Sequence, residues 1–298
     1  MVIGYIGLGK MGLSMTERLL EMGYKVLAFD KDAAARAKAE EAGAEVFGSF
    51  KELLDKLPTP RTIWLMVPHE ALDEVILDIL PQLVAGDTVI DGGNSNYKNS
   101  MRRAKEFSAK KIHFMDVGVS GGPTGARNGA CLMIGGERAD YRRLEMLFKE
   151  LAGKSKYALV GPHGAGHFVK MVHNAIEYPM MEAIAEGFDI LKRNKAGFKF
   201  DLVKIADLYN NGSVIESRLM GWLREGFDEF GEDMDGVSGS VGRSGAGDWA
   251  VDVAEEFGVP ARALRAAVDV RKKSGEKPSY AGKLLTAMRN RFGGHSVK

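Results

Sequence analysis

The chain has 298 residues, 45% of them hydrophobic, and 41 basic against 40 acidic side chains give a net charge of +1. That is enough chain for about two domains of ordinary size. Near-neutrality argues against a protein coated for nucleic acid, and no apolar run reaches the roughly 18 residues of a membrane span. A single cysteine, Cys131, excludes an internal disulfide, and a strand pattern starting at Val2 leaves no room for a signal peptide, so a cytoplasmic protein is expected. In chain order, residues 2–6, 25–29, 63–67, 88–91, 112–119, 131–134 and 157–160 read as strands. Segments 11–22, 33–42, 71–80 and 97–107 carry apolar residues at helical spacing between them. Mostly apolar strands separated by helices predict a parallel, doubly wound (Rossmann) α/β domain over residues 1–163. From residue 164 the pattern is all-α: a long spine helix, 168–192, opens a substrate and oligomerisation domain of several helices broken at Gly212, Gly226, 236–247, Pro260 and Gly275. The Gly- and Ser-rich stretch 235–247 reads as a mobile or ligand-binding loop.

Thirty-seven glycines, about 12% against a usual 7% or so, are an excess, and several fall at strand ends. Gly7-Leu8-Gly9-Lys10-Met11-Gly12 follows the first strand directly and opens a helix, as a dinucleotide-binding GxGxxG requires. Gly7 permits the tight turn, Gly9 lets a pyrophosphate approach the backbone, and Gly12 allows close helix packing. Leu8, Met11 and Val67 complete the expected cofactor lining. The second strand ends at Asp30, where a carboxylate accepts from ribose hydroxyls and repels the extra phosphate of NADP. Lys31 beside it partly offsets that charge, so NAD is expected, with NADP as the lesser cofactor.

On the spine helix, His167, Lys170, His173, Asn174 and Glu177 fall on one side, among apolar Phe168, Val169, Met171, Val172, Ala175 and Ile176. Such a stripe is expected to be buried and to face a cavity or a partner. Burial drives a lysine towards its neutral, basic form and a glutamate towards its neutral, acidic form, a pair suited to acid–base chemistry beside a nicotinamide. Pro179 deprives the Ala175 carbonyl of its donor and predicts a kink. Asn94, in Asp91-Gly92-Gly93-Asn94-Ser95, and Ser120, in Gly118-Val119-Ser120-Gly121-Gly122, stand at the carboxyl ends of strands, where open parallel sheets bind ligands. No metal-ligand cluster is recognisable. Residues 225–256 hold ten acids and one base, whereas ten basic residues follow from Arg262 onward; they read as solvated or mutually paired surfaces, or as an anion-binding tail.

These blocks, with Gly166-His167-Phe168-Val169-Lys170-Met171-Val172-His173-Asn174-Ala175-Ile176-Glu177-Tyr178 and the tail Arg289-Asn290-Arg291-Phe292-Gly293-Gly294-His295, resemble the 6-phosphogluconate dehydrogenase family. The resemblance implies oxidative decarboxylation of 6-phosphogluconate to ribulose 5-phosphate in the pentose phosphate pathway, with Lys170, Asn174 and Glu177 catalytic. It implies that Asn94 also meets the cofactor, that Asn94, Ser120, Gly121, Gly122, His173 and Asn174 bind the sugar acid, and that Tyr178 and Arg271 bind its phosphate. Arg289 and His295 would arrive from a neighbouring subunit of a homo-oligomer, a dimer or tetramer. The chain looks like a short form. Ser244 and Ala246 stand where long forms carry lysine and threonine, so the resemblance does not extend to phosphate contacts there. A 3-hydroxyisobutyrate-type dehydrogenase shares the glycine opening but not Asn94, His173, Glu177 and the tail together. A noncatalytic dinucleotide-binding protein with a nucleic-acid-binding tail would have no use for both Lys170 and Glu177.

Overall fold

The computed structural model describes residues 1–153, 156–242 and 245–298. The chain divides into two compact units, residues 1–170 and 171–298.

In the first unit, β1 (Val2–Ile6), β2 (Lys25–Phe29), β3 (Glu45–Val46), β4 (Thr62–Leu65), β5 (Thr88–Asp91), β6 (His113–Ser120), β7 (Cys131–Gly135) and β8 (Tyr157–Gly161) form one sheet in the order 3-2-1-4-5-6-7-8. The helices are α1 (Lys10–Glu21), α2 (Ala33–Glu41), α3 (Phe50–Lys56), α4 (Leu72–Ile79), α5 (Tyr97–Ala109), α6 (Gly122–Asn128) and α7 (Arg138–Ala152). Strand residues alternate between two cores. Ile3, Tyr5, Val26, Ala28, Trp64, Ile90, Met115 and Val117 join Met15, Leu19, Leu147 and Phe148 on one side. Ile6, Leu27, Ile63, Leu65, Val89 and Phe114 join Leu53, Leu54, Ile76 and Phe107 on the other. A sheet apolar on both faces must be covered on both, which is the doubly wound arrangement.

The sheet departs from the expected all-parallel form at one pair. β6 and β7 are antiparallel, whereas β7 and β8 are again parallel to each other. Only ten residues, 121–130, separate β6 from β7, fewer than a parallel crossover needs. Helix starts are marked by local chemistry: Asp32 accepts from Ala34 N, Ser49 from Glu52 N and Asn96 from Lys98 N.

The division between the units falls within α8 (Ala165–Lys192), 28 residues and roughly 40 Å long, which continues through Pro179. In the second unit follow α9 (Leu202–Tyr209), α10 (Arg218–Phe230), α11 (Ala246–Glu256), α12 (Arg262–Lys273) and α13 (Tyr280–Gly293). Met181, Ala185 and Phe188 of α8 form its core with Leu223 and Phe227 of α10 and Leu284, Leu285 and Met288 of α13. Gly226 does not break a helix as expected. It lies inside α10, where a Cβ would stand 3.2 Å from Ala287 Cβ, so it serves close packing with α13. Gly247 likewise lies inside α11.

The stretch 235–247, expected to be a mobile or ligand-binding loop, is held at several of its described positions. Met234, Val237 and Val241 are buried, Ser238 N donates to Val297 O (2.7 Å), and Val241 N donates to Ser274 Oγ (2.9 Å). Ser244 lies outside the described residues, and Ala246 is fully buried at the start of α11. The acidic stretch and the basic tail are partly held together: Arg291 pairs with Glu225 and Glu229, and Lys272 with Asp248 (2.9 Å).

Candidate active site

The glycine loop between β1 and α1 is built for close approach. Gly7 has φ +98°, and a Cβ there would stand 2.3 Å from the Met66 carbonyl oxygen. A Cβ on Gly12 would stand 2.0 Å from the Gly7 carbonyl oxygen. Gly9, the N-cap of α1, faces open space, and no side chain caps the helix. The residues present therefore fit a dinucleotide: the cradle is one that side chains would fill, and the N-cap residue Gly9 has no side chain to occupy the start of the helix. Asp30 follows β2 at the same end of the sheet. Its Oδ2 accepts from Leu8 N (2.6 Å) and its Oδ1 from Asp32 N (2.8 Å). Leu8 itself is buried in the core, so its contribution is its backbone.

Sequence reasoning singled out Lys31 beside Asp30, and the structure adds Arg36. The Arg36 guanidinium donates to the carbonyls of Asp30 (2.7 Å) and Lys31 (3.3 Å), whereas Lys31 is exposed. Its signal was helical spacing from the end of β2. Val67 joins two loops. Its Cγ1 lies 2.9 Å from where a Gly7 Cβ would be, and its carbonyl oxygen 3.0 Å from where a Gly93 Cβ would be.

The segment carrying Asn94 is held by Asp91, which is fully buried at the end of β5. Asp91 Oδ1 accepts from Gly93 N (3.0 Å) and Oδ2 from Ser95 Oγ (2.8 Å), so half-buried Asn94 is presented from a fixed turn. Ser120, Gly121 and Gly122 follow at the end of β6, where both glycines have positive φ and turn the chain into α6. Lys170 stands against the same strand, for a Cβ on Gly118 would be 2.4 Å from Lys170 Cβ.

Lys170, His173, Asn174 and Glu177 recur along α8 at the spacing of one helix face. His173 Nδ1 lies 3.1 Å from Asn174 Oδ1 and 3.6 Å from Glu177 Oε2. The stripe is less enclosed than its apolar flanks suggested. Asn174 is buried, Lys170, His173 and Glu177 are half-buried, and Val169, Val172 and Ile176 are exposed. Apolar flanks alone do not bury a helix face; the packing of neighbouring elements does.

The buried carboxyl of α8 is Glu182, five residues beyond Glu177, and sequence reasoning missed it. Burial, reinforced by Glu186 and opposed by Arg271, pushes it up to about 7, and its Oε2 has no hydrogen-bond partner among the described residues. Arg271 of α12, 3% exposed, lays its guanidinium over the Tyr178 ring at 3.5 Å from the centroid, with Nη2 3.6 Å from Met181 Sδ. Burial holds its pKa below the ordinary arginine value, opposed by Tyr178, Glu177 and Glu182.

Arg289 of α13 is buried as well, and its pKa is lowered by burial and by the nearby charge of Arg271. Two buried guanidinium groups that repel each other beside a tyrosine form a place prepared for an anion. Arg289, expected at a neighbouring subunit's site, lies near groups of its own chain. Within one chain it already lies in electrostatic reach of Arg271, Tyr178 and Glu177, because α13 packs into the core of its own unit. His295 is exposed beyond the end of α13, against Phe292.

Residues 2–161 match the NAD-binding domain of 6-phosphogluconate dehydrogenase, and residues 166–283 match the 6-phosphogluconate dehydrogenase C-terminal domain. The chain belongs to the 6-phosphogluconate dehydrogenase family. It is 40% identical to the NAD(+)-dependent, decarboxylating 6-phosphogluconate dehydrogenase of Haloferax volcanii, over 100% of this chain and 98% of that protein. The Plasmodium falciparum 6-phosphogluconate dehydrogenase, solved apo, with NADP+ and with 6-phosphogluconate, is 32% identical with a TM-score of 0.79. That match covers 93% of this chain and 62% of the Plasmodium chain. The 3-hydroxyisobutyrate dehydrogenase of Mycobacterium tuberculosis shares the fold, with a TM-score of 0.74 at 22% identity over 96% of this chain and 98% of that one.

Proposed function

We infer that this chain is a decarboxylating 6-phosphogluconate dehydrogenase that uses NAD, converting 6-phosphogluconate to ribulose 5-phosphate and carbon dioxide. The observation that carries the reading is the content of one helix: Lys170, His173, Asn174 and Glu177 share a face of α8, and the next residue, Tyr178, lies under buried Arg271. Residues 1–163 hold the dinucleotide through Gly7, Gly9, Met11, Gly12, Asp30, Val67 and Asn94, and residues 164–298 provide the helical substrate domain. NAD, when bound, supplies the acceptor for the hydride leaving C3.

Lys170 takes the proton of the C3 hydroxyl, and its protonated form then hydrogen-bonds the enolate oxygen that develops as the carboxylate departs. Glu177 delivers a proton to C1 of the resulting enediol, the carbon that was C2 of the substrate, and Asn174, held against His173, orients the hydroxyls. Ser120, Gly121 and Gly122 bind the sugar acid, and Tyr178, Arg271 and Arg289 its phosphate. The apolar line Val172, Ile176 and Met180, exposed along α8, supports a homo-oligomer in which a second subunit covers it and His295 reaches a neighbouring site. The exposed Cys131 thiol suits a reducing, cytoplasmic setting.

The test is a coupled assay with 6-phosphogluconate and each cofactor. Carbon dioxide released in step with NADH, abolished by Lys170→Ala, supports the reading. Oxidation of a β-hydroxyacid without decarboxylation overturns it.

A further inference from the structure

The first turns of α8 are seated by a buried polar cluster that the reaction above does not use. Asp116, fully buried on β6, accepts from Gly164 N at Oδ1 (2.6 Å) and from His167 N at Oδ2 (2.9 Å). A carboxylate there answers N–H groups that a helix start leaves unpaired, and its charge suits the positive end of the helix dipole. Asp116 and Gly118 are two residues apart and so share one face of β6. The strand that caps α8 is therefore also the one that touches Lys170, a turn further on.

His167, 1% exposed and three residues before Lys170, ties the same turn to a second place. Its Nδ1 lies 2.7 Å from Ser100 Oγ and 3.9 Å from Asp91 Oδ2, whereas Nε2 has no partner among the described residues. Ser100 Oγ also lies 3.4 Å from the Asn96 carbonyl oxygen. With the proton on Nδ1, the ring donates to Ser100, the hydroxyl donates to Asn96, and Nε2 presents only a lone pair. The other tautomer would bury an unanswered N–H, the costlier arrangement. Ser100 and Asp91 flank Asn94, so His167 latches the lysine-bearing helix to the segment that presents Asn94.

We propose that Asp116 and His167 are positioning residues for Lys170: between them they fix the depth of α8 against β6 and its distance from the Asn94 segment. The proposal rests on the reading of Lys170 as proton acceptor. A misplacement of about 1 Å in such a group costs on the order of a hundredfold in rate.

Four variants of the full chain test it: His167→Asn, His167→Gln, Ser100→Ala and Asp116→Asn. An asparagine amide can occupy the position of Nδ1 and donate to Ser100, whereas a glutamine amide reaches the position of Nε2 and cannot. His167→Gln is expected to lower kcat at least tenfold with both KM values within threefold of wild type, and His167→Asn to recover most of that loss. Ser100→Ala, which deletes one hydroxyl, reproduces the His167→Gln effect if the larger changes impair folding. Hydrogen exchange reads the seat without any activity: amides 166–170 exchange at least tenfold faster in His167→Gln and Asp116→Asn, with the amides of β1 and β4 unchanged. Unaltered exchange in these folded variants, or equal kcat in His167→Asn and His167→Gln, overturns the proposal. Wild type that fails to decarboxylate 6-phosphogluconate overturns the functional reading instead, and the exchange data still decide the seat.

Discussion

Gly118 of β6 and Lys170 of α8 are in such close apposition that a methyl group on residue 118 would stand 2.4 Å from Lys170 Cβ and 3.0 Å from the Gly166 carbonyl oxygen. Both neighbours belong to the fixed part of the helix, so the clash has no flexible side-chain end to absorb it. Gly118→Ala is expected to destabilise the protein by about 1–3 kcal/mol, as overpacking does, and to lower kcat at least tenfold. Gly187→Ala is the control: it lies on the same helix with nothing within 4 Å, and alanine there is expected to stabilise by about 0.5–1 kcal/mol with kcat unchanged. Denaturant unfolding and steady-state kinetics on both proteins check the pair.

Asp30 should set the cofactor preference. Both of its carboxylate oxygens are held by backbone N–H groups, which fixes a negative charge beside the glycine loop. Asp30→Ala removes that charge and leaves Arg36 beside the site, so the ratio of kcat/KM for NADP to that for NAD is expected to rise at least tenfold. An unchanged ratio would mean that specificity is decided elsewhere.

Arg271 combines a stacked guanidinium with a buried charge, and lysine reproduces neither the plane nor the fork. Arg271→Lys is expected to raise KM for 6-phosphogluconate at least tenfold and to leave KM for NAD within twofold. Tyr178→Phe keeps the ring under the guanidinium and is expected to have the smaller effect. Inorganic phosphate used as a competitive inhibitor supplies an independent reading, since its inhibition constant should rise in parallel with KM.

Glu182 predicts a pH dependence of stability. Its folded pKa of about 7 lies above the 4.5 of an ordinary glutamate, so between these values the native state binds more protons than the unfolded state. Its favourable contribution is complete below about pH 4.5 and is lost as pH rises through 7, a change of about 3 kcal/mol at 1.36 kcal/mol per pH unit. Glu182→Gln removes this titration. The variant should gain stability relative to wild type from pH 5 to about pH 7 and level off above it, as measured by urea unfolding at each pH. A constant difference across that range would refute the assignment.

Much of this molecule is legible locally. The strands Val2–Ile6, Lys25–Phe29 and Thr88–Asp91 are read from sequence with their observed bounds, because apolar runs between turn residues are a nearest-neighbour property. The glycine loop and the polar face of α8 are legible for the same reason: each is one contiguous segment whose spacing fixes its geometry. The two-residue strand β3 carries too little pattern to be noticed, and the direction of β7 depends on a short connection rather than on its own residues.

Sequence by itself determined the family, the cofactor loop and which side chains α8 presents. Only the tertiary structure decided how deeply they lie and what holds them. Glu182 is the buried carboxyl because Arg271, 89 positions later, packs beside its helix, and Arg289 joins Arg271 because α13 folds into the same core. Arg291, two residues on, instead pairs with Glu225 and Glu229 at the surface. Asp116 meets the start of α8 across 48 residues of chain. Charge and hydrophobicity are properties of single residues, whereas burial and pairing depend on chain crossings that no local pattern specifies.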